Sequence, residues 1–195
     1  MLWSAAKAIA SHYGVEKQFV VPLPFYREIG GSALTDTVAV PKGRSLSEMG
    51  TTDGVDTDTS IPVTYVPARN LVFLSIATGI AEVWGSDHLY IGVNALDYSG
   101  YPDCRPDFIE QFQRTARLAT RSGVVLGNLN IETPLLHLSK AEIIALAASL
   151  DSPLHLTHSC YDPIDGVSCG VCDSCILRLK GFNEAGITDP IAYAE

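Results

Sequence analysis

Cys160, Cys169, Cys172 and Cys175 constrain this chain more than any other feature: four of its five cysteines form a C-x8-C-x2-C-x2-C array near the C-terminus. Thiolates are soft, strongly donating ligands, and four converging from one short segment match the closed tetrahedral shell of structural zinc. Gly166 and Gly170 supply the tight turns. Two disulfides would need an oxidising compartment, and residues 1–10 carry neither the basic region nor the cleavage pattern of an export signal. An iron–sulfur cluster is the rival metal reading, because C-x2-C-x2-C also opens a ferredoxin run. That run continues C-x3-C-P, whereas Cys175 is followed by Ile176, Leu177 and Arg178 with no further cysteine. The array therefore predicts one Zn2+ per chain.

The rest of the chain has to supply the fold. At 195 residues, 47% hydrophobic and 18% charged, it can bury a core. The expected division is an α/β domain over residues 1–150 and a zinc-binding segment over 151–195. A net charge of -9 works against sequence-independent contact with phosphate backbones, so no direct nucleic-acid partner is expected. A small anionic substrate stays compatible with it, since a few cations in a cleft dominate locally. The longest apolar run, residues 70–84, is too short and too interrupted to span a bilayer and reads as a buried helix. The expectation is a cytoplasmic protein without a membrane partner.

Residues 2–13 show a helical apolar pattern closed by Gly14, and 18–23 follow as a β-rich run. From 25 to 62 periodicity is lost among Gly30, Gly31, Pro41, Gly43 and an Asp/Thr-rich tract, which predicts a long mobile loop of the kind that covers a site. A strand over 88–94, a helix over 106–120 and a strand over 130–136, with Pro134 near its end, come next. Ser139 with Glu142 three residues on is a capping-box pattern that starts another helix. This alternation predicts an α/β fold with a parallel sheet.

Two composition matches carry no chemistry. Gly30-Gly31-Ser32 follows no apolar strand and lacks the lysine of a phosphate loop, so it reads as a plain turn. The alternating oxygen ligands of residues 56–60 suggest a calcium loop, but Ile61 stands where the glycine belongs and Pro67 where the bidentate glutamate belongs. Residues 92–105, GVNALDYSGYPDCR, are different: Asp97, Ser99, Tyr101, Asp103 and Arg105 crowd beyond the carboxyl end of a strand, where open α/β sheets bind ligands. A carboxylate accepts hydrogen bonds from an amidine-like edge, a tyrosine stacks on a ring and an arginine grips a carboxylate bidentately, a set suited to a guanine-like heterocycle with an acid group. An ordinary Asp/Gly/Pro turn is the alternative.

Arg69 and Asn70, at the start of the 70–84 helix, could hold a phosphate or simply cap the helix. Lys140 opposes the dipole of its helix, which a ligand anion would offset and solvent exposure would also explain. Cys104 reads as a buried thiol rather than a reactive one. His155 and His158 precede a complete set of four thiol ligands and are taken as neighbours or bystanders.

Taken together, VPARN at 66–70, GVNALDYSGYPDCRPDFI at 92–109, ETPLLHLSKAEI at 132–143, and SCYDP followed by CGVCDSC make the chain similar to the 7-cyano-7-deazaguanine synthase (QueC) family of PP-loop ATP pyrophosphatases. The resemblance implies an adenine nucleotide α-hydrolase-like fold, with helices on both faces of a parallel sheet and a C-terminal zinc knuckle. It implies a ligase that uses ATP with Mg2+ to activate 7-carboxy-7-deazaguanine, and ammonia to reach the nitrile. Asp97, Ser99, Tyr101, Asp103 and Arg105 would then shape the deazapurine pocket, Arg69, Asn70 and Lys140 would face ATP, and the four cysteines would hold zinc in a homodimer. Members of the family open on a strand and a Ser-Gly-Gly-x-Asp-Ser loop, a sequence absent from these 195 residues. Without that first strand and phosphate cradle, the expectation for the chain as written is zinc binding, weak deazapurine binding and poor turnover. The alternative is a non-catalytic zinc-bearing module for a purine-like ligand or a partner protein.

Overall fold

The computed structural model describes residues 2–49, 61–95 and 100–194, in two compact units formed by residues 50–138 and by residues 1–49 with 139–195. These are not the 1–150 and 151–195 segments expected from sequence. The helix that begins at Lys140 packs on the helix that follows the cysteines, so its place in space departs from its place in the chain.

In the unit of residues 50–138, α3 (Arg69–Trp84) buries Asn70, Leu74, Thr78 and Ala81, one stripe at helical spacing. The expectation of a buried helix holds for that stripe alone; Leu71, Phe73, Val83 and Trp84 are exposed, because the described sheet covers a single side. Gly85 ends α3 in the left-handed conformation with its N–H turned back to Ala81 and Glu82 carbonyls. Strands β1 (His88–Tyr90) and β2 (Asn130–Glu132) pair in parallel, with Leu89 opposite Ile131. Both are shorter than the expected 88–94 and 130–136. Ile91 still donates to the Glu132 carbonyl, but Pro134 begins a turn that ends the ladder.

A parallel pair needs a long crossover. Here α4 (Pro106–Ala119) and α5 (Arg121–Leu126) lie within it. Helix α4 buries Ile109, Phe112 and Ala116 in a core shared with Leu74, Leu129 and Ile131. Helix α5, unforeseen from sequence, starts where the Thr120 hydroxyl accepts the Gly123 N–H at 3.1 Å. A Cβ at Gly123 would lie 2.2 Å from the Arg117 carbonyl oxygen, so the tight corner between α4 and α5 requires glycine.

The other unit contains α1 (Leu2–His12), α2 (Phe25–Ile29), α6 (Lys140–Ser149) and α7 (Asp173–Glu184). The capping box forms as expected: Ser139 Oγ accepts the Glu142 N–H at 3.2 Å and Glu142 Oε2 accepts the Ser139 N–H at 2.7 Å. Helices α6 and α7 meet at Gly181, where a Cβ would lie 2.4 Å from Lys140 Cγ and 3.0 Å from Ile144 Cδ1. Residues 18–23 join no ladder among the described residues, and Phe19, Val20 and Val21 are exposed; a β-rich run without a partner strand has no ladder bonds to stabilise it.

The expectation of a long mobile loop over 25–62 is corrected for residues 25–49. Tyr26, Ser32, Ala33 and Met49 are buried there, and residues 40–44 lie against the cysteine segment. Gly30-Gly31-Ser32 is the expected turn, closed by the Gly31 N–H on Asp36 Oδ2 at 3.3 Å. Residues 56–60 lie outside the described residues. Among the described residues no helix is long and apolar enough to cross a membrane.

Candidate functional sites

The four cysteines converge from the loop before α7 and from its first turn. Their sulfurs all lie within 4.8 Å of one another, all four residues are buried, and all four are free thiols. A tetrahedral shell with metal–sulfur bonds of about 2.3 Å would set sulfurs roughly 3.8 Å apart; Cys172 and Cys160 stand at 4.0 Å. Backbone N–H groups of Cys169 and Cys172 point at Cys160 Sγ and Cys169 Sγ, each at 3.3 Å, and favour thiolates. This cluster could hold a metal ion, and the donor set suits a soft or borderline cation without leaving a coordination position open.

Burial pushes the Cys160 and Cys175 thiols up. It opposes ionisation of Cys172 as well, yet hydrogen bonds from Ser174 and from the Tyr161 and Cys175 backbones bring that thiol down to about 7. His158 Nε2 lies 3.1 Å from the Cys160 carbonyl oxygen, outside the cluster of ligand atoms.

A strap formed by residues 40–48 seals the centre. Val40 packs against the cysteines, Lys42 bridges Cys172 in antiparallel fashion, and the Gly43 N–H donates to the Val171 carbonyl at 2.8 Å. Lys42 Nζ pairs with Asp162 at 2.6 Å. Arg44 Nε donates to Asp173 Oδ1 at 3.1 Å while its Nη2 reaches Oδ2. Asp173 is the first residue of α7, directly after Cys172, and its side chain is buried. Arg44→Ala strands that carboxylate and loosens the turn bearing two ligands. Metal affinity should fall by about 10- to 100-fold, as for other residues that orient metal ligands, in competition against a chromogenic chelator. Unchanged affinity would mean that the strap does not support the centre.

In the unit of residues 50–138, the 3-10 turn Pro102–Cys104 presents Tyr101, Asp103, Cys104 and Arg105 beside the N-terminus of α3. Asp103 and Cys104 are buried. Asn70 N–H donates to Asp103 Oδ2 at 2.7 Å, and its side-chain Nδ2 lies 3.3 Å from the Asp103 carbonyl oxygen and 3.2 Å from Cys104 Sγ. Tyr101 OH lies 2.9 Å from Thr64 Oγ1, and its ring stacks at a tilt on Tyr65, 5.8 Å between centroids. Burial, helped by the Asp103 charge, pushes the Cys104 thiol up to about 11, which keeps it protonated and inert at neutral pH.

Of the residues expected at a site, the structure thus brings Arg69, Asn70, Tyr101, Asp103 and Arg105 into one region. Lys140 belongs to the other unit, half-buried with its stem on Gly181. Asp97 and Ser99 lie outside the described residues. Sequence reasoning missed Arg44, Asp173, Thr64 and Tyr65. The Arg44–Asp173 pair spans 129 positions, so no local spacing could have announced it.

Fold and sites together define an α/β protein with a parallel strand pair and a four-cysteine, metal-type centre. The profile of the family described as "Queuosine biosynthesis protein QueC" matches residues 2–186. The chain is 55% identical over 192 residues to the 7-cyano-7-deazaguanine synthase of Solidesulfovibrio magneticus, covering 97% of this chain and 77% of that protein. It is 56% identical over 191 residues to the synthase of the same name from Geobacter metallireducens, covering 97% and 75%. The corresponding protein of Myxococcus xanthus is 52% identical over 191 residues, covering 97% and 79%. The chain belongs to the QueC family, whose members carry a PP-loop α/β fold.

Proposed function

We propose that the chain is a 7-cyano-7-deazaguanine synthase, a C–N ligase that converts 7-carboxy-7-deazaguanine and ammonia, at the expense of ATP, to the nitrile used in queuosine biosynthesis. The observation that carries the reading is 55% identity to a synthase of that name across 97% of the chain. A carboxylate resists attack by ammonia until one of its oxygens becomes a phosphate-type leaving group. Forming the amide and then losing water gives the nitrile. Each step develops negative charge that positioned cations stabilise.

In this reading Arg105 grips the substrate carboxylate and Tyr101 stacks on the deazapurine, with Asp97 and Ser99 on the same loop. Arg69 and Asn70, at the start of α3, face ATP, which Mg2+ accompanies. The four cysteines hold structural zinc: four thiolates in a closed, buried set suit Zn2+ better than the harder divalent ions. Exposed Val83, Leu118, Val124 and Val125 on α3, α4 and α5 support a homodimer. The negative charge supports small-molecule rather than nucleic-acid partners.

The test is calorimetric titration of the zinc-loaded chain with 7-carboxy-7-deazaguanine, then incubation with ATP, Mg2+ and ammonium and detection of the nitrile by mass spectrometry. Weak but measurable binding and slow nitrile formation are expected of these 195 residues, in which no Ser-Gly-Gly-x-Asp-Ser sequence occurs. Arg105→Ala should weaken binding by about tenfold or more, the value of a charge-assisted bidentate contact. A chain that ignores the deazapurine would sink the reading.

A further inference from the structure

Helix α3 begins without a cap of its own. Ala68, the residue before it, has φ 55 and no side chain able to accept an N–H from the first turn. The first turn of any α-helix leaves backbone donors unpaired, and burying such a donor without an acceptor is costly. Asn70 is buried, and the acceptor for its N–H is Asp103 Oδ2 at 2.7 Å, from 33 positions further along the chain. The contact is reciprocal, since the Asn70 side-chain amide returns to the Asp103 carbonyl and to Cys104 Sγ. Two aromatic side chains close the other side. Tyr65 OH accepts the Ala68 N–H at 2.9 Å, and the Tyr65 ring stacks on Tyr101.

We propose that Asp103 is a positioning residue: its carboxylate fastens the first turn of α3, and with it Arg69, to the loop that carries Tyr101 and Arg105, and it makes no contact with the deazapurine. This builds on the synthase reading for the identity of the ligand. A carboxylate that read a guanine-like edge would present both oxygens to the incoming ring. Asp103 is 6% exposed and has one oxygen committed to Asn70. Its negative charge also lies where the positive end of α3 favours an anion. Arg69 and Arg105 would thus come from two segments held in register by one buried acceptor.

Asp103→Asn and Asp103→Ala separate positioning from direct contact. Asparagine keeps the volume and an acceptor oxygen for the Asn70 N–H but loses the charge and one acceptor. Positioning predicts that Asp103→Asn binds 7-carboxy-7-deazaguanine within about twofold of the wild type, whereas Asp103→Ala loses about tenfold or more. In parallel, residue-resolved hydrogen exchange of the Asn70 amide should stay slow in Asp103→Asn and accelerate at least about tenfold in Asp103→Ala. Equal loss of affinity in both variants, with Asn70 exchange at the wild-type rate, would overturn the proposal. Should Asp103→Ala fail to fold, the affinity of Asp103→Asn decides alone: unchanged supports positioning, and a tenfold loss overturns it. If the wild-type chain does not bind the deazapurine, the synthase reading fails, and the exchange comparison alone decides whether Asp103 fastens α3.

Discussion

Replacing Cys169 or Cys172 by serine should abolish stoichiometric zinc and destabilise the unit of residues 1–49 and 139–195 by more than about 5 kcal/mol, beyond the ordinary range of point substitutions. The reason lies in how little else is buried there. Besides the four cysteines, the buried apolar side chains among the described residues of that unit are Tyr26, Ala33, Met49, Ile144, Pro153 and Phe182. The cysteines form the hydrophobic cluster to which Val40, Tyr161 and Tyr193 are added. Metal binding by such a set is folding free energy, on the order of 10–16 kcal/mol in zinc-finger peptides at neutral pH. Serine keeps the size but loses the thiolate. Metal analysis after dialysis, with urea unfolding of wild type and variant, checks both parts. Cys104→Ser, a buried thiol of the other unit, is the control and should keep its zinc. A Cys172→Ser protein with one tightly held zinc and an unchanged midpoint would refute the assignment.

The second large effect is expected at Arg178. Its Nε and Nη2 donate to the two oxygens of Asp189 at 2.7 and 2.9 Å, its Nη1 donates to Thr157 Oγ1 at 2.7 Å, and Tyr193 OH donates to Asp189 Oδ2 at 2.6 Å. Both members of the pair are buried, with side chains 8% and 6% exposed. Breaking such a pair from one side leaves an uncompensated buried charge, so Arg178→Ala should cost about 3–5 kcal/mol. It should also release the C-terminal segment, whose Ala194 N–H donates to the Ser168 carbonyl beside Cys169. Urea denaturation of the zinc-loaded protein measures the loss.

The same network predicts a pH profile. Burial alone would raise the Asp189 carboxyl, but the Arg178 and Tyr193 hydrogen bonds outweigh it and hold the group below its ordinary value. A depressed folded-state carboxyl contributes stability that is complete above the unfolded pKa of about 3.9 and disappears as pH falls through the folded value. Burial, then Asp189, raises the Tyr193 phenol. Its contribution is complete below the unfolded pKa of about 10 and is lost as pH rises towards the folded value. The wild type should therefore lose stability faster than Arg178→Ala at the acid end. Parallel pH dependences for the two proteins would show that Asp189 does not depend on Arg178.

Much of the candidate site was legible in the chain before folding. The cysteine spacing predicted the cluster of four sulfurs, because thiols within one short segment converge by local geometry. Helices α3, α4 and α6 follow from apolar periodicity, and the start of α6 from the Ser139–Glu142 box, whose hydrogen bonds span three residues. Residue types marked the 92–105 loop and the Arg69–Asn70 pair as two separate candidates, each with a plain structural alternative; that they share one region came from the structure. The role of Asp103 within it was not readable, because whether a carboxylate faces a ligand or a helix N-terminus depends on a partner in another segment.

Local composition also misled where burial decides. Residues 18–23 have strand-like composition, yet strand formation needs a neighbouring edge, which no residue within that run supplies. Residues 40–48 look like part of a mobile loop because their glycine, proline and charge lack periodicity. Arg44 and Lys42 nevertheless find carboxylates at Asp173 and Asp162, far along the chain. By itself, the sequence determined the cluster of four thiols and helices α1, α3, α4 and α6, which rest on interactions a few residues long, while the alternation of helix and strand pointed to the parallel pair. Only the tertiary structure decided that the 40–48 strap packs against the cysteine cluster, that Arg178 anchors the C-terminal segment, and that Asp103 accepts from the first turn of α3, since each joins groups far apart in the chain that packing alone brings together.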